Sequence, residues 1–226
     1  MRKTSGKRQQ LLLHDQEFLN RGFSSLAGVD EAGRGPLAGP VVASAVIVRD
    51  FSFSNALDDS KKMSARAREE AFEEILKKCR VGIGIVEPDV IDEINILEAT
   101  LRAMQEAVMK LGEEPDGLLI DGNKAPKLPF RQFTIVDGDA KSFSIACASV
   151  VAKVTRDRMM DYYDEVYPQY GFGKHKGYGT AMHMKALTEH GPCRIHRQSF
   201  FPVRNILQAR VTAAAHSGDS SRAPRR

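Results

Sequence analysis

Short apolar runs alternate with segments of helical period along most of this chain. Leu26 to Asp30, Val41 to Val48, Val81 to Val86, Gly117 to Asp121 and Gln132 to Val136 are rich in Val and Ile and bounded by Gly, Pro or Asp, which predicts strands. Between them, Ser64 stands as the N-cap of a helix reaching Lys78, with Ala71, Phe72, Ile75 and Leu76 on its apolar face. Leu97, Leu101, Met104, Val108 and Leu111 make a second helical stripe, stopped by Gly112. A long helix is expected from Lys141 to about Val166, opening on small residues such as Ser142, Ser144, Ala146 and Ala148 that permit close packing on a sheet. After Pro168 the texture changes to Gly171, Gly173, Gly177 and Gly179 interleaved with Lys174, His175, Lys176 and Tyr178, a loop suited to ligand contact, and a short helix follows from about Ala181. From about His216 no apolar period remains, and the tail is expected to be disordered. Strands alternating with helices predict an α/β fold.

Composition narrows the class without deciding it. With 226 residues, 42% hydrophobic and 27% charged, the chain has the balance of a globular protein large enough to bury a core. A net charge of +4 and a pI near 9.0 lean weakly toward an anionic partner. Cys79, Cys147 and Cys193 are odd in number and lack metal-ligand spacing, which predicts reduced thiols in a cytoplasmic protein. Leu11-Leu12-Leu13 is broken at once by His14 and Asp15, so there is no signal-peptide core. No apolar run approaches the ~20 residues that cross a bilayer, so no membrane partner is expected.

The chemistry concentrates in the run from Gly28 to Pro40, where Asp30 and Glu31 end an apolar segment and Gly33, Arg34, Gly35 and Gly39 follow. The glycines let an anionic ligand approach the backbone while Arg34 fixes a phosphate or hydroxyl. In a regular strand the two acids point to opposite faces, so the strand is expected to end, bulge or turn there, with Gly28 and Gly33 supplying the freedom. Taken alone, the segment is also explained as a solvated strand end before a glycine-rich turn. Asp121 closes a second apolar run, Leu118-Leu119-Ile120, and Asp139 follows a third in Val136-Asp137-Gly138-Asp139. Acids at the ends of neighbouring strands can converge on one point. Four such carboxylates raise one another's pKa unless cations neutralise them, and an all-oxygen donor set favours Mg²⁺ or Mn²⁺ over zinc. No serine-hydrolase, metalloprotease or Walker signature appears.

Five motifs occur in order: Asp30-Glu31-Ala32-Gly33-Arg34-Gly35, Leu57-Asp58-Asp59-Ser60-Lys61, Ile120-Asp121-Gly122, Gly138-Asp139 leading into Ala148 to Asp157, and His175-Lys176-Gly177-Tyr178-Gly179. Together, from about Leu26 to Val203, the chain resembles bacterial ribonuclease HII. The resemblance implies a ribonuclease H-like fold, a central mixed β-sheet flanked by helices with a helical C-terminal part. Residues 1–25 are then an N-terminal extension, expected to be helical, 26–167 the catalytic core, 168–215 the substrate-contacting loop and helical C-terminal part, and 216–226 the tail. It also implies that Asp30, Glu31, Asp121 and Asp139 hold two Mg²⁺ or Mn²⁺ ions, cutting RNA in RNA·DNA hybrids and at ribonucleotides embedded in duplex DNA, to 5′-phosphate and 3′-hydroxyl ends. Gly33, Arg34 and Gly35 are expected to surround the 2′-hydroxyl, and Tyr178 to stack under the ribonucleotide.

Other residues carry weaker expectations. Lys61, Lys174 and Lys176 are candidates for backbone phosphates, though a solvated basic face explains them almost as well. His196 to Phe200 is expected to dock the C-terminal part, with Arg197 as a further phosphate contact. Lys153, Arg156 and Asp157 suit an internal ion pair at least as well as catalysis. His175, His183, His190 and His196 are too dispersed to assign as ligands. Gln10 to Leu13 has a faint likeness to sliding-clamp peptides, the basis for expecting a weak clamp contact, but the apolar face of a first helix explains it better. A monomer is expected. Two rival readings are a resolvase or DNA nuclease of the same fold, which should lack a 2′-hydroxyl sensor, and a hybrid-binding module, against which the four acids argue.

Overall fold

The computed structural model describes residues 3–54 and 63–218. Five strands, β1 (Leu26–Ala32), β2 (Val41–Val48), β3 (Cys79–Val86), β4 (Gly117–Asp121) and β5 (Arg131–Ile135), form one sheet in the order β3-β2-β1-β4-β5. β1, β4 and β5 run parallel, while β2 is antiparallel to both β1 and β3, so the sheet is mixed as expected. Helix α3 (Pro88–Met109) covers one face over Ala27, Val29, Ala43 and Ala45. On the other face α2 (Ala65–Lys78) and α4 (Phe143–Val166) pack with α1 (Lys3–Asn20), whose Leu11 is fully buried there. The C-terminal part consists of α5 (Phe172–His175), α6 (Ala181–His190) and α7 (Phe201–Gly218). It has its own apolar cluster, in which Tyr170, Phe172, Ala186 and Ile195 surround Ala38.

Strands β1, β3 and β5 shift by one or two residues at their ends, and three helices depart from expectation for identifiable reasons. α3 begins at Pro88, well ahead of the leucine stripe, because proline suits the first turn of a helix. Asn95 interrupts it at φ 68°, and its side-chain oxygen accepts from the N–H groups of Leu97 and Glu98, so the helix is capped and restarted inside its own length. The closest face of α3 is Ala99, Ala103 and Ala107 rather than the leucines. Gly82 and Gly84 of β3 make room for it: a Cβ at either would overlap the carbonyl of Ala107 or Ala103. At the other end, α7 runs to Gly218, past the expected start of the tail at 216; residues 219–226 lie outside the described residues, as does the Leu57–Lys61 motif.

The long helix α4 starts at Phe143, later than Lys141, because Ser142 is its N-cap and accepts from the Ile145 N–H. A second cap comes from far away in sequence. The buried Asp15 carboxylate of α1 accepts from the Ser144 N–H at 2.8 Å, where the helix dipole favours a negative charge. Asp15→Ala is therefore expected to cost about 1–2 kcal/mol and to lower the melting temperature by several degrees. An unchanged thermal melt would show that this cap carries no stability.

Candidate active site

β1 does not end at its acids. It carries Asp30 and Glu31 in register with Ser44 and Ala43 of β2, so the expected bulge is absent. What changes is the other neighbour: pairing with β4 stops at Val29 opposite Ile120. Beyond that point the two parallel strands part, and a cleft of about 220 Å³ opens at their carboxyl ends. Asp30, Glu31 and Asp121 all line it, with Ser149, Lys153 and Arg156 of α4, the loop Gly33–Gly35 and Tyr178. Gly28 also differs from expectation, since its φ is not positive; it is bare because a Cβ there would overlap the backbone of Ser144 and Ile145. This close approach brings the first turn of α4 onto β1 beside Asp30.

The acids are held by donors on their own backbone and on the opposite wall. Asp30 is buried and accepts from the Glu31 N–H at 2.7 Å, with the Ser149 hydroxyl as a further donor. Glu31 faces Arg34 at 3.2 Å. Asp121 accepts from the Gly138 N–H at 2.6 Å, which ties the end of β4 to the 3₁₀ turn Gly138–Ala140 carrying the buried Asp139. Burial, and then the negative charges of Glu31 and Asp121, hold the Asp30 carboxyl well above the usual carboxylate range. Burial also raises Glu31, with Arg34 acting against it. Such a set suits a hard divalent cation, because the donors are all oxygen and burial holds the Asp30 and Glu31 carboxyls above their ordinary range until a cation balances them. Among the described residues no three of these carboxylates close around one point, so water or substrate oxygens would complete an ion's shell.

The loop after β1 is held by two buried arginines, neither bonded to a carboxylate among the described residues. Arg156 donates to the carbonyls of Pro40, Lys176 and Ala38, at 3.0, 3.0 and 3.1 Å. Arg197 donates to those of Gly39, Arg34 and Gly33. Burial pushes Arg156 down to about 10 and Arg197 to about 9, so both stay charged at neutral pH. Gly33, at φ +97°, adopts a conformation that favours glycine, and a Cβ there would overlap Arg156. The Leu37 N–H donates to the Gly177 carbonyl at 2.8 Å, so the same scaffold reaches the loop of Tyr178. Tyr178 is 46% exposed, and its ring edge lies 3.7 Å from where a Cβ on Gly35 would stand.

The other residues expected to contact substrate lie outside the cleft lining or outside the described residues. Arg197 is fully buried, so it braces the Gly33–Gly39 loop and does not reach a phosphate. Lys176 pairs with Asp161 of α4, and Lys174 is exposed; neither lines the cleft. Lys61 lies outside the described residues. The internal ion pair expected among Lys153, Arg156 and Asp157 forms between Lys153 and Asp157 at 2.7 Å, and Arg156 takes no part in it. The residues that sequence reasoning missed are Ser149 and Lys153 as lining, and Arg156 as a brace. Their spacing of four and three places them on one face of α4, the signal that could have found them.

Residues 27–203 match the family model described as ribonuclease HII. The chain belongs to the ribonuclease HII family. It is accordingly a nuclease, a metal-dependent hydrolase. Ribonuclease HII of Bacillus subtilis is 56% identical over 188 residues, covering 83% of this chain and 73% of that protein. Among solved structures, the ribonuclease H2 of Pyrococcus horikoshii is similar with a TM-score of 0.69 and 25% identity, covering 82% of this chain and 98% of that one. The ribonuclease HII of Archaeoglobus fulgidus, solved in complex with PCNA, has a TM-score of 0.68 and 27% identity, covering 79% of this chain and 96% of that one. Among the described residues no helix is long and apolar enough to cross a membrane.

Proposed function

We propose that this cleft cuts the RNA strand of RNA·DNA hybrids endonucleolytically, as membership of the family implies, and that it also incises duplex DNA at single embedded ribonucleotides. The observation that carries this reading is the meeting of three carboxylates with a backbone loop and an aromatic ring in one cleft. Carboxylates alone suit phosphodiester hydrolysis of any nucleic acid. The loop and the ring opposite them supply what a sugar sensor needs: backbone groups that a ribose can approach closely, and a surface on which it can stack.

Asp30, Glu31, Asp121 and Asp139 would hold Mg²⁺ or Mn²⁺. When bound, those ions activate water and stabilise the leaving 3′ oxygen, giving 5′-phosphate and 3′-hydroxyl ends. The remaining work belongs to the chain itself. Arg34, half exposed and facing Glu31, is placed to exchange that carboxylate for a backbone phosphate. Lys153 on the cleft wall adds positive charge beside the acids. Backbone groups of Gly33 to Gly35 bracket the 2′-hydroxyl while the Tyr178 ring stacks from the other side.

The enzyme works as a monomer in the cytoplasm. A weak contact with a sliding clamp is supported by the Archaeoglobus relative solved with PCNA. In the Gln10–Leu13 segment Leu11 is buried against α2 and α4, as the apolar face of a first helix requires, and so is not available to a clamp.

The test uses a duplex with one embedded ribonucleotide, a full hybrid and an all-DNA control, each with Mg²⁺, Mn²⁺ or chelator. Cleavage of the first two only, abolished by chelator, is expected; efficient cutting of the DNA control would favour a general nuclease. Replacing Tyr178 sharpens the result. A hydrogen bond is worth about 0.5–1.5 kcal/mol and a stacked base about 1–3 kcal/mol. Activity on the single-ribonucleotide duplex should fall in the order wild type, Tyr178→Phe, Tyr178→Ala. Wild-type rates for Tyr178→Ala would remove this residue from the sensor.

A further inference from the structure

Three histidines that looked scattered in sequence meet behind the Tyr178 loop. His175 and His183 stack with ring centroids 4.5 Å apart and planes 13° from parallel. His183 Nε2 lies 3.0 Å from His196 Nε2, and the Phe172 ring packs against all three imidazoles. His175 is satisfied locally: its Nδ1 accepts from the Gly177 N–H, and its Nε2 faces the Tyr170 carbonyl. The other two form a chain with only one consistent set of protons for neutral rings. His183 Nδ1 faces the Tyr178 carbonyl at 2.9 Å, an acceptor, so this nitrogen carries the hydrogen. His183 Nε2 is then the acceptor, and His196 Nε2 must donate to it. His196 Nδ1 is left as an acceptor, and the Cys193 backbone N–H reaches it at 2.9 Å. A proton added to either ring would set two donors against each other. In keeping with this, burial lowers His183 to about 4 and His196 to about 3.

We propose that His183 and His196 are positioning residues for Tyr178: a directed chain of hydrogen bonds from the Cys193 N–H through both imidazoles to the Tyr178 carbonyl sets where the ring stands over the cleft. The inference rests on the reading of Tyr178 as the ribonucleotide sensor. The Tyr178 ring is nearly half exposed, so side-chain packing does little to place it and its backbone must. That backbone is held at both ends, the N–H by the His175 carbonyl at 2.9 Å and the carbonyl by His183 and the Thr180 N–H. His196 also pairs with Ala38 in an isolated β-bridge. Its neighbour Arg197 braces the Gly33–Gly39 loop. The segment Ile195–Arg197 thus ties both walls of the sensor to one support.

The test is a double-mutant cycle on the single-ribonucleotide duplex. His183→Leu removes the donor to Tyr178 and is expected to lower kcat/KM about 3- to 10-fold, the worth of one hydrogen bond. His183→Asn, which keeps a donor near the Nδ1 position, should restore most of that loss. In a Tyr178→Ala background the same His183→Leu change should have almost no effect, because the group being positioned is gone. An equal loss in both backgrounds would make the pair merely structural and overturn the proposal. Wild-type activity of Tyr178→Ala alone would instead overturn the sensor reading. A measurement on the unmutated enzyme stands apart from any folding defect. Imidazole ¹⁵N spectra should show neutral rings, with Nδ1–H on His183 and Nε2–H on His196, between about pH 6 and pH 8. The reverse tautomers, or a protonated ring, would rule out the chain.

Discussion

Asp30→Asn is expected to abolish cleavage and, in metal-free protein, to raise the melting temperature. The two effects have one cause. Asp30 is buried beside Glu31 and Asp121, and its pKa in the native state lies well above its unfolded value. Ionising it therefore costs more in the folded protein than in the unfolded chain. The favourable contribution of the protonated form is present at low pH and is lost as pH rises through the carboxylate range and on through the raised native value. Asparagine keeps the shape and removes the charge. At neutral pH the variant should melt above the wild type, and below about pH 3, where ordinary carboxylates are themselves largely neutral, the two should converge. Divalent cation should raise the wild type more than the variant. The loss of cleavage should exceed the about 10–100-fold cost of removing an outer partner of a metal site. Melts across pH and cleavage assays with Mg²⁺ check both halves; near-normal activity would exclude Asp30 from the site.

Gly28→Ala is expected to damage both the fold and the cleft. A Cβ at this position would overlap the backbone of Ser144 and Ile145, which cannot swing aside as a side chain can. Overpacking of this kind costs about 1–3 kcal/mol, and more where backbone must move. The movement has a second consequence. Pushing the first turn of α4 away from β1 disturbs the Asp15 cap at Ser144, and it shifts Ser149, the donor to Asp30. Activity should thus fall further than stability alone explains. Gly112→Ala is the contrast: nothing lies within 4 Å of its Cβ position, and its φ of +76° makes the cost one of backbone conformation, with no effect on the cleft. Denaturant unfolding of the two variants would separate these origins, and a Gly28→Ala protein as stable as wild type would refute the close-packing account.

Much of this architecture was legible because its signals are local. The run Val41–Val48 is a strand at the expected residues, and Ser64 caps the helix to Lys78 through the Ala67 N–H. Asp30, Glu31 and Asp121 were found because each closes or follows an apolar strand, and the parallel pairing of β1 with β4 then brings them to one place. What the chain did not disclose depends on contacts between distant residues. In sequence, Arg197 reads as a phosphate contact within a segment that docks the C-terminal part. Only the fold shows that the carbonyls of Gly33, Arg34 and Gly39 are waiting for it. His183 and His196 are 13 residues apart and share no period. The role of Gly28 was misjudged for the same reason: flexibility can be guessed from a glycine, but the helix lying on it cannot.

The two arginines beneath the Gly33–Pro40 loop also bear on how tightly and how selectively it can grip a sugar. Their donors fix six carbonyls between Gly33 and Lys176 before any ligand arrives. A surface already ordered loses little conformational entropy on association, so more of each contact's free energy remains as affinity. The same stiffness limits tolerance. A nucleotide whose 2′ substituent is bulkier than hydroxyl meets a wall that cannot yield without breaking buried hydrogen bonds to a charged group, each worth about 1.5–3 kcal/mol. If this loop is the sugar sensor proposed above, discrimination against such sugars is a property of the folded chain itself, present before the first encounter and the same at every turnover.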